Sequence, residues 1–105
     1  MPKKYNIILH EKFEKSLLEC LNYLKDFNYE YSQRVKYDVH QSLKLLEFFP
    51  NMFSSFKNPY NNQIYRRMII DEYYLVIYRV KEPFVHIILF VDGRQAYYNY
   101  FKSLS

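Results

Sequence analysis

The stretch IYRRMIIDEYYLVIYRVKEPFVHIILFV, residues 64–91, decides the fold. It divides into three runs rich in β-branched and aromatic residues: Ile64–Ile70, Tyr73–Lys81 and Phe84–Val91. The breaks between them, Asp71-Glu72 and Glu82-Pro83, are short enough to join antiparallel neighbours as hairpins. In the middle run, Tyr74, Val76, Tyr78 and Val80 share one face, and Tyr73, Leu75, Ile77 and Arg79 share the other. Both sets are mostly apolar, as expected of a strand covered on both sides. In the last run, strict alternation puts Val85, Ile87, Leu89 and Val91 on one face. Phe84, His86, Ile88, Phe90 and Asp92 then share the other.

Working outward toward the N-terminus, residues 51–63 are polar and turn-like, with Asn58-Pro59 and Asn61-Asn62. Before them, Phe13, Leu17, Cys20, Leu21, Leu24 and Phe27 recur at helical steps and predict an amphipathic helix over about 10–28. Asn28–Tyr31 breaks it. Ser32 is the expected N-cap of a second helix carrying Val35, Val39, Leu43 and Leu46, stopped by Pro50. Residues 5–9 predict a first short strand. Beyond the last run, Arg94–Leu104 reads either as a short helix or as a disordered tail. The expected fold class is α+β, in the order β-α-α-β-β-β. A helical hairpin covers one face of a mainly antiparallel sheet, in a single domain spanning 1–105.

Composition narrows the function. The chain has 105 residues and a net charge of +4, with 13 Tyr, 9 Phe and a single glycine. That aromatic content excludes a disordered chain. One glycine leaves no Gly-rich phosphate loop. One cysteine excludes an internal disulfide framework and fits a cytoplasmic location. The N-terminus does not have the pattern of a signal peptide, and no apolar run is long enough to span a bilayer. Neither Cys20 nor the three histidines are spaced as a metal site, and no cofactor is expected. His10 and His40 read as surface positions of the helical half.

Four of the five arginines, Arg66, Arg67, Arg79 and Arg94, lie in the strand half, which carries +3 of the net charge. Arginine suits bidentate phosphate binding and stacking on flat rings, so a basic, tyrosine-rich sheet is a platform for nucleic acid. Adjacent Arg66 and Arg67 point to opposite faces. One of them reaches the open face, or both lie at a solvent edge. Arg79 either faces a functional surface or ends its strand in water. His86 shares a face with Asp92 if the strand runs straight, which makes it an acid–base candidate or a structural histidine. At Asp92-Gly93-Arg94-Gln95 the glycine is expected to permit a positive-φ turn that brings Arg94 out at the strand end. Arg94 and Tyr97, Tyr98 and Tyr100 then either clamp a phosphate and stack a base, or form a strand-end turn packed on the core.

The opening strand Tyr5–Leu9, the helix pair with its Phe49-Pro50 stop, Tyr65-Arg66-Arg67-Met68, Tyr74–Val80 and Phe90–Gln95 follow one another in a telling order. Together they resemble the RelE/ParE superfamily of bacterial toxins from type II toxin–antitoxin modules, over roughly residues 5–100. The resemblance implies a toxin held inactive by a cognate antitoxin. RelE-like members cut messenger RNA in the ribosomal A site, whereas ParE-like members bind and poison DNA gyrase without catalysis. On the RelE reading, Arg94 stabilises charge on the phosphate and one of Tyr97, Tyr98 or Tyr100 acts at the cleavage site. Lys57, Arg66, Arg79 and His86 supply further RNA contacts. One departure is clear: the arginine that RelE carries early in its central strand falls here near Leu75, leaving Arg67 or Arg79 to substitute. The first expectation is therefore a ribosome-dependent mRNA endonuclease that inhibits translation. The alternatives are a gyrase inhibitor and a fold relative without toxicity. A +4 chain suits an acidic antitoxin, and exposed apolar surface is expected where that partner docks.

Overall fold

The computed structural model describes residues 3–94, 102 and 104. Strand β1 (Asn6–Leu9) leads into helix α1 (Glu11–Phe27) and helix α2 (Tyr29–Leu46). Strands β2 (Ser55–Lys57), β3 (Ile64–Ile70), β4 (Tyr74–Lys81) and β5 (Phe84–Asp92) follow. The sheet order is β1-β5-β4-β3-β2. Only β1 runs parallel to its neighbour, with Asn6 opposite Phe84 and Leu9 opposite Ile87. The other pairs are antiparallel. The α+β expectation holds, with β2 as an added strand in a stretch read as turn. It is an edge strand whose one apolar residue, Phe56, pairs with Tyr65. Three residues with one apolar side chain leave no periodicity to detect.

The helical hairpin turns more tightly than Ser32 suggested. Asn28 alone separates the helices. Its backbone N–H donates to the Leu24 carbonyl, ending α1, and its side chain accepts from the Tyr31 N–H, starting α2. Ser32 instead lies buried inside α2, where its hydroxyl donates to the Leu21 carbonyl at 3.0 Å and ties the two helices together. Glu11 and Glu14 open α1 and Lys25 closes it, complementing the helix dipole.

The hairpin covers one face of the sheet. Phe13, Val35, Val39 and Leu46 from the helices meet Met68, Ile70, Tyr74, Val76, Tyr78, Val85, Ile87 and Phe90 from the sheet. The second face carries a smaller cluster of Tyr65, Leu75 and Ile77, flanked by Phe56, Ile88, Leu89, Val91 and Leu104. Central β4 is therefore apolar on both sides, as its sequence predicts. Strand β5 departs from strict alternation. Ile77 opposes Leu89 while Tyr78 opposes Ile87, so Ile88 is an extra residue in a bulge. Val85 and Ile87 face the helices together with Phe90, whereas Leu89 and Val91 face away. The bulge also separates His86 from Asp92, which do not share a face. Asp92 pairs with Tyr74 of the helix side and His86 with Arg79 of the other.

Candidate functional site

The sequence-derived candidates fall at three places. The first is the end of the sheet where β5 finishes. Arg94 Nε and Nη2 donate to the two carboxylate oxygens of Asp92 at 3.0 and 2.9 Å, and the Arg94 backbone N–H donates to Asp92 Oδ1. This fork holds the Asp92 carboxyl below its ordinary range and raises the guanidinium further. The guanidinium lies 4.5 Å from the Tyr73 ring centroid and 5.9 Å from that of Tyr74. The carboxylate that contacts Arg94 is thus its own near neighbour. Tyr97, Tyr98 and Tyr100, the expected companions of Arg94, lie outside the described residues, as does most of the Arg94–Leu104 segment.

Gly93 serves this corner differently from the expectation. Its φ is not positive. Its N–H donates to the Tyr73 carbonyl at 2.6 Å, and a Cβ built on it would stand 2.9 Å from that same oxygen. The residue is required by close backbone approach, not by a left-handed turn. Gly93→Ala is expected to cost about 1–2 kcal/mol through the forced backbone shift, read as a lower midpoint in urea unfolding. An unchanged midpoint would show that the corner yields freely. Left-handed backbone occurs instead at Asp71 (φ 50) and Glu72 (φ 67) in the β3–β4 turn. There the Tyr31 hydroxyl donates to Asp71 Oδ2 at 2.6 Å. Tyr74 lies between Tyr31 and the Cys20 thiol, whose pKa burial pushes up, so that sulfur is no ready nucleophile.

The second place is the helix-side loop. Arg66 faces the helices and donates to the carbonyls of Asn51 and Phe53. It therefore braces the segment after α2. Lys57, exposed on β2, pairs with Ile64 at the start of β3.

The third place is the second face of the sheet. Arg67 opposes Ile77 there, with its guanidinium 5.6 Å from the Phe56 ring centroid. Arg79 lies two residues beyond Ile77 on the same face, directly opposite His86. The sequence reading assigned His10 to the surface of the helical half and missed its role here. It follows β1, and the parallel β1–β5 pairing carries it to β5. Its Nε2 stands 2.8 Å from His86 Nδ1, one ring donating and the other accepting. The signal was the short first strand, but its partner could not be read from the sequence. Burial, then His10, Lys81 and Arg79, depress the His86 pKa.

The fold thus favours neutral His86. Its contribution to stability is complete above the ordinary histidine pKa and is lost as pH falls through that value toward the lower folded one. The melting temperature is expected to drop between about pH 7.5 and pH 5.5, and to drop less in His86→Asn. An equal drop in both proteins would place the sensitive group elsewhere.

The geometry therefore unites Arg79, His86 and Arg67 on one face and puts Arg66 on the other. Arg94 sits at the end of the sheet, in an ion pair. Among the described residues, no group of three or more His, Cys, Asp or Glu could hold a metal. Separately, a groove of about 290 Å³ runs between the helices, lined mainly by Leu9, Leu17, Leu18, Val39 and Leu43 over Phe13, with Lys36 and Glu14 also in its wall.

Residues 7–97 match the family described as ParE toxin of type II toxin-antitoxin system, parDE. The chain belongs to the ParE toxin family. No curated protein matches it. The match covers both helices, strands β2–β5, β1 from Ile7 onward and the Arg94 corner. As a type II toxin of the ParE family, it has a cognate antitoxin as its implied partner. Among the described residues of this toxin, no helix is long and apolar enough to cross a membrane.

Proposed function

We propose that this toxin acts by binding and inhibiting DNA gyrase, without cutting messenger RNA. The observation that carries this reading is the Arg94–Asp92 fork. On the endonuclease reading, Arg94 must present its guanidinium to a phosphate. Here both of its bonded nitrogens already meet one carboxylate, and its flat side lies against Tyr73. The other RNA-binding candidates also fail to converge on it, since Arg66 braces a loop on the helix side and Arg79 and His86 pair on the opposite face. An inhibitor that acts by occupation needs no such convergence. The ParE family supports the same reading, because its gyrase-poisoning members require no catalytic group. This reverses the order of the two readings drawn from the sequence.

The antitoxin's place is the groove between the helices. Leu9 and Leu18 stand 43% and 59% exposed there, an apolar surface suited to an amphipathic segment. The +4 charge of the toxin favours an acidic partner.

Purified toxin added to a gyrase supercoiling assay and to a cell-free translation reaction separates the two mechanisms. Inhibition of supercoiling with full-length message is the expected outcome. Cleaved message with unimpaired supercoiling would overturn the proposal.

A further inference from the structure

The second face of the sheet holds a group of side chains apart from the Arg94 corner and the groove between the helices. Arg79 and His86 are cross-strand neighbours, and Lys81 lies two residues beyond Arg79 on the same face of β4. His10 joins His86 at 2.8 Å from the end of neighbouring β1. Phe84, beside His86 with ring centroids 6.2 Å apart, is 40% exposed. The charged groups that act on His86 are His10, Lys81 and Arg79, and none of them is acidic. Among the described residues, neither Arg79 nor Lys81 forms a salt bridge. Glu82, the carboxylate nearest in sequence, is taken by the Tyr5 hydroxyl at 2.7 Å and Lys3 at 3.2 Å. Among the described residues, these four basic side chains thus gather on one face without an ion-pair partner.

The geometry points to this cluster as a contact for the DNA backbone, with Arg79, Lys81 and the His10–His86 pair holding neighbouring phosphates of one strand. Strand residues two apart stand about 6.8 Å apart, which suits Arg79 and Lys81 to successive phosphates. His86 adds a proton-dependent element. In the neutral pair the N–H of one ring bonds the other ring, and a phosphate set against His86 favours one further proton on it. Burial, and then repulsion from His10, Lys81 and Arg79, depresses the His86 pKa in the free chain, and an incoming anion relieves the repulsive part. The choice of DNA as the source of the phosphates rests on the gyrase reading, because a toxin seated on gyrase lies beside the DNA that gyrase handles. The cluster itself rests on geometry alone.

The test is fluorescence anisotropy of the full chain with a labelled 20-base-pair DNA duplex at low salt, without gyrase. The double variant Arg79→Gln with His86→Asn is expected to weaken binding about tenfold or more and to flatten the salt dependence by about one to two units of slope. Binding to the wild-type chain should weaken as pH rises from about 6 to 8, a trend lost in the double variant. Lys44→Gln, one charge removed on exposed α2, serves as the control and should bind as wild type. Circular dichroism and melting confirm that each variant folds. Absence of wild-type binding, a loss in Lys44→Gln as large as in the double variant, or an unaffected double variant would each overturn the inference. A matching RNA duplex bound tenfold more tightly than the DNA would overturn the assignment to DNA. Gyrase inhibition without DNA binding would refute this contact and leave the proposed function standing. DNA binding without gyrase inhibition would do the reverse.

Discussion

Replacing Phe13 with alanine is expected to lower stability by about 3–5 kcal/mol, the upper range for truncating a buried aromatic. Phe13 is 1% exposed and is the one residue of α1 that is fully buried. Leu17, Cys20, Leu21 and Leu24 along the same stripe are only partly covered. The anchoring of α1 on the sheet therefore concentrates in a single ring. That ring also lies beneath the groove between the helices. Its removal opens the groove into the core, where collapse of the neighbours offsets little of the lost contact. For a domain of this size the midpoint of thermal melting should fall by about 15–30 °C. Urea unfolding measures the effect directly. A loss below about 1 kcal/mol would mean that the hairpin is held by its partly covered residues instead.

The second large effect concerns Tyr78. It is 0% exposed in the middle of β4, and its hydroxyl donates to the Pro50 carbonyl at 2.6 Å. Burial pushes the phenol up to about 12, so it remains a donor throughout the working pH range. Tyr78→Phe keeps the ring and removes the donor, leaving the Pro50 carbonyl without that bond. A cost of about 1–3 kcal/mol is expected. Arg66, directly opposite Tyr78, donates to Asn51 and Phe53 in the same loop. The two side chains hold one segment from adjacent strands, so their effects should not add. Arg66→Met combined with Tyr78→Phe is expected to cost less than the two single changes together. Full additivity in urea unfolding would show that the loop is braced at two independent points.

The sheet was legible in the sequence because β4 carries apolar residues in both registers, which only double coverage explains. Tyr74, Val76 and Tyr78 do lie under the helices, and Leu75 and Ile77 lie under the second cluster. The separation of His86 from Asp92 was not legible. Counting by twos assumes an unbroken strand, and the bulge at Ile88 leaves no mark among consecutive aliphatic residues. Asn28 was visible as a breaker, but a one-residue joint and a longer loop look alike when the next four residues are Tyr29, Glu30, Tyr31 and Ser32. At the candidate site, the sequence pointed to Gly93 and Arg94 because a lone glycine beside an arginine is conspicuous. It could not show that Asp92, two residues earlier, would close on that arginine. Nor could it bring His10 to His86, since that contact spans 76 positions and depends on which edge β1 joins.

That edge has a consequence for the order in which the toxin matures. A chain made from its N-terminus produces β1 first, yet among the described residues β1 has no neighbour in the sheet other than β5. Ile7, Ile8 and Leu9 must wait for residues 85–87 to be synthesised before their backbone finds its partners. Such distant pairing is slow to form and leaves apolar segments uncovered meanwhile. The helical hairpin, by contrast, can close as soon as α2 is complete. The helical walls of the groove are therefore assembled before the sheet is finished, and Leu9 joins them once β5 is made. An antitoxin that recognises those walls can engage the nascent toxin while β5 is still unmade, ahead of any activity that requires the whole sheet.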